Sequence, residues 1–145
     1  METVHVIIGI AVLVTNLLAG AWGAVAWLRA RPSVAFWYLL RIAQATVVAQ
    51  VLAGTILLLL GDEAADGLHY LYGTLPLLVA LLAEGARAGA AERELAGLDF
   101  DSLPSKRQRL IALGIARRET GIMTVSLLVV FFLALRAAGT SGGLL

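Results

Sequence analysis

The chain contains two histidines, and both stand in the same local setting. Glu2-Thr3-Val4-His5-Val6-Ile7-Ile8-Gly9 and Asp66-Gly67-Leu68-His69-Tyr70-Leu71-Tyr72-Gly73 each read acid-x-x-His-x-x-x-Gly. On a helix, residues three and four apart lie on one face, so each stretch lines up a carboxylate, an imidazole and a gap. Imidazole is the commonest metal ligand among side chains. A carboxylate one turn away can accept the second ring N–H and hold the tautomer. A glycine one turn on the other side leaves room for a flat plate.

Two chemistries follow from this pattern. The first is bis-histidine ligation of a b-type haem, with His5 and His69 as axial ligands and Gly9 and Gly73 flanking the macrocycle. Arg136 would be the one cation available to the propionates, beside Tyr70 and Tyr72. The second is a divalent transition-metal site built from His5, His69, Glu2 and Asp66, a two-imidazole, two-carboxylate set that suits zinc, iron or manganese. Each residue also has an ordinary explanation. Acidic residues favour the first turn of any helix, and His and Tyr suit a membrane interface. That explanation covers the residues singly but not their matched spacing.

Other chemistry lacks its residues. With no cysteine there is no disulfide, thiolate site or covalently attached haem. The sequence contains no phosphate-binding glycine loop, nucleophile elbow, metalloprotease helix motif or dinucleotide fingerprint. Neither hydrolytic nor nucleotide chemistry has candidate residues, so electron transfer or haem handling is the most the chain is expected to do.

Composition says what must position the histidines. The 145 residues are 60% hydrophobic and 14% charged, with a mean hydropathy of +0.89. A small soluble domain cannot bury that much apolar side chain. Four stretches, 4–28, 34–60, 68–83 and 120–135, contain one charge between them, Arg41. A spanning helix needs about 20 mostly apolar residues. The expected fold is therefore all-α, an integral membrane up-down four-helix bundle occupying one domain, 1–138. Its helices are expected near 4–29, 33–60, 67–96 and 104–136, followed by a flexible tail, 139–145. Breaks fall at Arg31-Pro32-Ser33, at the polar turn 61–67, and between Gly97 and Pro104.

Charge supplies an expected orientation. Of the eleven Lys and Arg residues, all but Arg136 fall at the end that carries the first and third connections. The positive-inside rule then places both termini outside, with helices three and four projecting into the cytoplasm of what reads as a bacterial inner membrane. Glu2, Asp62, Glu63 and Asp66 lie at the opposite end, with both histidines. The first helix lacks a basic start and is too long for a signal peptide, although Ala24-Val25-Ala26 resembles a cleavage site.

Helical phase places His5, Gly9, Val12, Asn16 and Gly23 on one face of the first helix, within about 40° of His5. A polar Asn in mid-membrane turns toward protein, so this face is expected to be buried. His69, Gly73, Pro76, Ala80 and Arg87 share a face of the third helix in the same way. In an up-down bundle these helices are diagonal, and the two imidazoles would face each other at one level.

Arg41, a charge inside the second span, is expected to pair with Glu84 or Glu119, most simply as a structural ion pair. Ala45, Ala49 and Ala53, with Ala19, Gly20, Gly23 and Ala24, form small-residue faces. These suit internal packing, a homo-oligomer or another membrane subunit, so an accessory subunit of a larger complex is the alternative to a haem protein. Trp22, Trp27, Trp37 and Tyr38 read as interfacial anchors. The basic residues from Lys106 to Arg118 have acids nearby, Glu92, Glu94, Asp99 and Asp101, so no single-sign patch forms, which argues against nucleic acid and for contact with anionic lipid.

Overall fold

A computed structural model describes residues 2–62, 64 and 66–140. Four long helices account for most of them: α1 (Glu2–Leu28), α2 (Val34–Leu59), α3 (Leu68–Leu95) and α4 (Ser105–Gly139), with one 3-10 turn at Phe100–Ser102 before α4. All four are long and apolar enough to cross a membrane. The observed bounds differ from the expected ones by a residue or two, except that α4 continues to Gly139, where Thr140 closes it. The first residue of the expected tail is thus helical. Residues 141–145 and Glu63 lie outside the described residues.

The turns explain where the helices stop. Ala30 takes a left-handed backbone, φ 50°, and the Arg31 N–H donates to the Ala26 carbonyl at 3.0 Å. This is a Schellman closure with alanine in the position usually given to glycine. Pro32 follows, and Ser33 caps α2 by accepting the Phe36 N–H at 3.2 Å. The Trp22 indole N–H also donates to Ser33 Oγ, at 2.9 Å, which ties α1 to the turn. Gly61, φ 90°, closes α2 in the same manner, with the Asp62 N–H on the Leu57 carbonyl.

Successive helices alternate in direction. α4 packs closely on α1 and on α3, α1 packs closely on α2, and the α2–α3 edge is the most open of the four. Around the bundle the order is therefore α1, α2, α3, α4, with α1 and α3 diagonal. The expected inward face of α1 is the buried one: Val12, Asn16 and Gly23 are enclosed. Asn16 Nδ2 donates to the Val12 carbonyl at 2.8 Å.

Glycines set the helix separations. A Cβ on Gly23 would press on Thr124 Oγ1 and lie 2.5 Å from Phe36 Cε2, and one on Gly121 would lie 2.7 Å from Trp27 Cε2. These contacts bring α1 within close reach of α4. The core is correspondingly small-residued, with Ala19, Phe36, Leu40, Ala43, Met123 and Leu127 at its centre. The outer faces are apolar: Leu18, Leu52, Leu81 and Phe132 are exposed. Such faces match lipid in place of water.

Candidate functional site

His5 lies in the first turns of α1 and His69 near the start of α3. Their ring centroids are 6.1 Å apart with an interplanar angle of 59°. Because α1 and α3 are diagonal, the two imidazoles occupy the middle of the bundle at this end.

Neither ring is held by the carboxylate in its own motif. Gln50 of α2 donates its amide Nε2–H to His5 Nε2 at 3.1 Å, which leaves the His5 proton on Nδ1. His69 donates Nδ1–H to the Ala137 carbonyl at 3.1 Å, which leaves Nε2 with its lone pair. Ala137 belongs to the last turn of α4, whose carbonyls have no further helical N–H to accept. The same oxygen also accepts the Thr140 N–H and hydroxyl, at 3.1 and 2.8 Å. Tyr70 meets His69 edge-on with centroids 6.4 Å apart.

Glu2 is exposed, with no hydrogen bond or ion pair among the described residues. Asp66 Oδ1 accepts the Leu68 N–H at 2.9 Å, as a cap for α3. Among the described residues no three His, Asp or Glu side chains converge on a metal-sized site. The sequence-based expectation that Glu2 and Asp66 join the histidines thus gives way to hydrogen bonds from neighbouring helices.

The two glycines also differ from each other. A Cβ on Gly9 would lie 3.2 Å from Gln50 Nε2, so the gap beside His5 is filled by the Gln50 amide. A Cβ on Gly73 would meet nothing within 4 Å. Gly54 of α2 makes room for the His5 ring, since a Cβ there would lie 3.2 Å from His5 Cε1. Gln50 and Gly54 are one turn apart on α2 and form the wall of the site that sequence reasoning missed. A signal for Gln50 existed, because a glutamine deep in an apolar span must turn toward protein. The Ala137 carbonyl carries no sequence signal at all.

Three buried side-chain polar atoms of the described residues lack a partner: His5 Nδ1, Gln50 Oε1 and Thr124 Oγ1. Two of the three are at this site. Orphaned buried polar atoms are rare, and these two belong to the one contact between His5 and Gln50. Arg136 stacks over the Tyr72 ring, 5.7 Å from its centroid, at the same end of the bundle.

The charged residues of the opposite end form a network centred on Glu84. Its Oε1 accepts from Arg41 Nη1 at 2.7 Å and from Gln44 Nε2 at 2.8 Å. Its Oε2 accepts from Arg87 Nε at 2.9 Å. Glu119 is reached by Arg87, at 3.4 Å, rather than by Arg41. Arg87 also lies over the Trp37 ring, 5.5 Å from its centroid. The expected pair of Arg41 with a single glutamate is thus a five-residue lattice joining α2, α3 and α4, with Arg87 as the bridge.

The fold and its two polar ends define an all-helical protein with four helices long and apolar enough to cross a membrane. No family model, curated protein or solved structure matches the chain.

Proposed function

We propose that this chain is a small integral membrane protein that holds a b-type haem between His5 and His69, for electron transfer or haem handling. The observation that supports this reading is the spacing of the two rings. With metal–nitrogen distances of about 2.0–2.1 Å, an iron between two imidazoles brings their centroids to roughly 6 Å apart, and here they stand 6.1 Å apart. His69 has the arrangement that outer hydrogen bonds impose on ligating histidines, donating Nδ1–H to the Ala137 carbonyl and keeping a lone pair on Nε2. His5 carries its proton on Nδ1 while Nε2 accepts from Gln50, so ligation through Nδ1 would require it to donate Nε2–H instead to Gln50 Oε1, which is buried and without a partner.

The residues fit the group on one side more readily than on the other. Gly73 borders open space, and the α2–α3 edge is the loosely packed one. On the α1 side, the Gln50 amide must swing away from Gly9 to admit the edge of a macrocycle. Arg136, beside Tyr72, is the cation nearest in level for a propionate. When bound, haem would supply a one-electron iron couple. The protein's part is to hold both imidazoles at one level and to keep the site in an apolar surround. In this reading the histidine end and both termini face outward across a bacterial inner membrane and the arginine-rich end faces the cytoplasm.

A visible spectrum of protein purified from membranes tests the proposal. A Soret band with sharp reduced α and β bands is expected, and should be lost in His5→Ala and in His69→Ala. A preparation that is colourless, and stays so after haem titration, overturns it. Metal analysis of the same colourless sample then tests a divalent ion held by the two imidazoles.

A second reading, an accessory subunit of a larger membrane complex, rests on the small-residue seam of α2. Ala53 is buried within the chain, whereas Ala45, two turns earlier on the same face, is exposed. A seam of this kind that faces lipid invites a second helix. Stoichiometric co-purification of another subunit would favour it.

A further inference from the structure

We propose that the groove between the end of α1 and the first half of α4 binds an anionic glycerophospholipid, with its phosphate at Arg117 and Arg31 and an acyl chain laid along α4. The groove is an open cleft of about 680 Å³, with Trp27, Gly114, Arg117, Gly121 and Val125 among its lining residues. A narrower cleft beside it shares Arg117 and is bordered by Arg31 and Pro32. Arg117 therefore lines both clefts and Arg31 the narrower one, at the α1–α2 turn, where the chain leaves its apolar span.

The groove has a polarity that matches a phospholipid. Arg117, Gly121 and Val125 are spaced by four residues and lie along one face of α4, so the lining passes from cation to small residue to apolar side chain over about 12 Å. Trp27 lies flush against α4 because Gly121 has no Cβ to hold it off. Gly114 presents open space at the charged end. A soluble phosphate would have no use for this apolar floor.

The charges are available. Arg118, the third arginine at the opening, is bound to Glu94 at 2.6 Å. Arg117 and Arg31 form no ion pair among the described residues. The Trp27 indole N–H likewise has no acceptor there, and offers a donor in the cleft that Arg117 lines. Basic pockets between spanning helices at the arginine-rich side of a membrane attract anionic head groups. This inference does not depend on the histidine pair.

Native mass spectrometry and thermal unfolding of the delipidated full chain in neutral detergent test it. The probes are phosphatidylglycerol, phosphatidylcholine with the same chains, and inorganic phosphate. Phosphatidylglycerol should remain as a one-to-one adduct and raise the unfolding midpoint, while phosphatidylcholine and inorganic phosphate do neither. Arg117→Gln and Arg31→Gln should each weaken the adduct by about fivefold, and Lys106→Gln, outside the groove, should leave it unchanged. If Arg117→Gln does not fold, Gly114→Leu, which fills the open floor, should displace the lipid instead. Equal retention of phosphatidylcholine, an equal response to inorganic phosphate, or undiminished binding in the arginine variants overturns the proposal. So does a stable dimer that takes up no lipid.

Discussion

The imidazoles of His5 and His69 meet at 6.1 Å although the helices that carry them are not packing neighbours. Both rings reach into the centre of the bundle, and each is aimed by a group from a helix other than its own. Gln50 of α2 holds His5, and the last turn of α4 holds His69. The end of the bundle that carries the candidate site is thus assembled from all four helices.

Gln50→Leu is expected to unpin His5. It removes the donor to Nε2 and leaves a half-buried imidazole with neither nitrogen hydrogen-bonded, a loss of about 1–3 kcal/mol. Thermal unfolding in detergent should show a lowered midpoint. In haem-titrated protein, the same variant should change the spectrum without abolishing binding, because His5 is then free to carry its proton on Nε2 and present the Nδ1 lone pair. An unchanged midpoint together with an unchanged spectrum would show that Gln50 does not aim the ring.

Two glycine substitutions should have opposite effects. Gly23→Ala forces a methyl group against Thr124 and Phe36 where α1 and α4 touch, and overpacking of this kind costs about 1–3 kcal/mol. Gly73→Ala meets nothing within 4 Å and should gain up to about 1 kcal/mol through helix propensity. Unfolding midpoints of the two variants check both signs. If Gly73 flanks a haem, Gly73→Leu should also reduce haem uptake while the apoprotein stays folded.

Within the opposite network, Glu84 should matter most. It accepts from Arg41, Gln44 and Arg87 together, so Glu84→Ala strands two cations and an amide. The expected loss is about 1–2 kcal/mol, discounted for partial exposure. Arg41→Ala, whose side chain is 55% exposed, should cost less. A double-mutant cycle between Glu84 and Arg87 should show coupling, whereas one between Arg41 and Glu119 should show none.

The proposed orientation has a direct check, because the chain has no cysteine of its own. Asp62→Cys and Ser105→Cys should label from opposite sides of intact cells or vesicles, Asp62→Cys from outside. Labelling of both from one side would contradict an odd number of spans between them. Labelling of Ser105→Cys alone from outside would invert the assignment.

Much of the architecture is legible in the residues. Arg31-Pro32-Ser33 and Gly61-Asp62 mark the helix ends because proline, a serine cap and a left-handed glycine act locally. Phase along α1 identifies the face of Val12, Asn16 and Gly23 as buried, since 3.6 residues per turn fixes which residues share a side. The position of α4's end is less legible: alanines, Arg136 and Gly139 are all tolerated in a last turn, and the helix runs on to Gly139.

Sequence alone therefore settles an all-helical chain with four apolar spans, a lopsided distribution of arginine, and two histidines on inward faces at one end. Those features depend on composition and on periodicity within single helices. Tertiary structure decided the rest. It set Gln50 and the Ala137 carbonyl, rather than Glu2 and Asp66, against the imidazoles. It filled the gap at Gly9 and left Gly73 open, and it gave Glu119 to Arg87 instead of Arg41. The reason is physical: helical phase tells which way a side chain points, but the group it meets depends on the rotation and separation of neighbouring helices. Those are set here by backbone contacts at Gly23, Gly54 and Gly121, glycines whose consequences appear only when the helices are brought together.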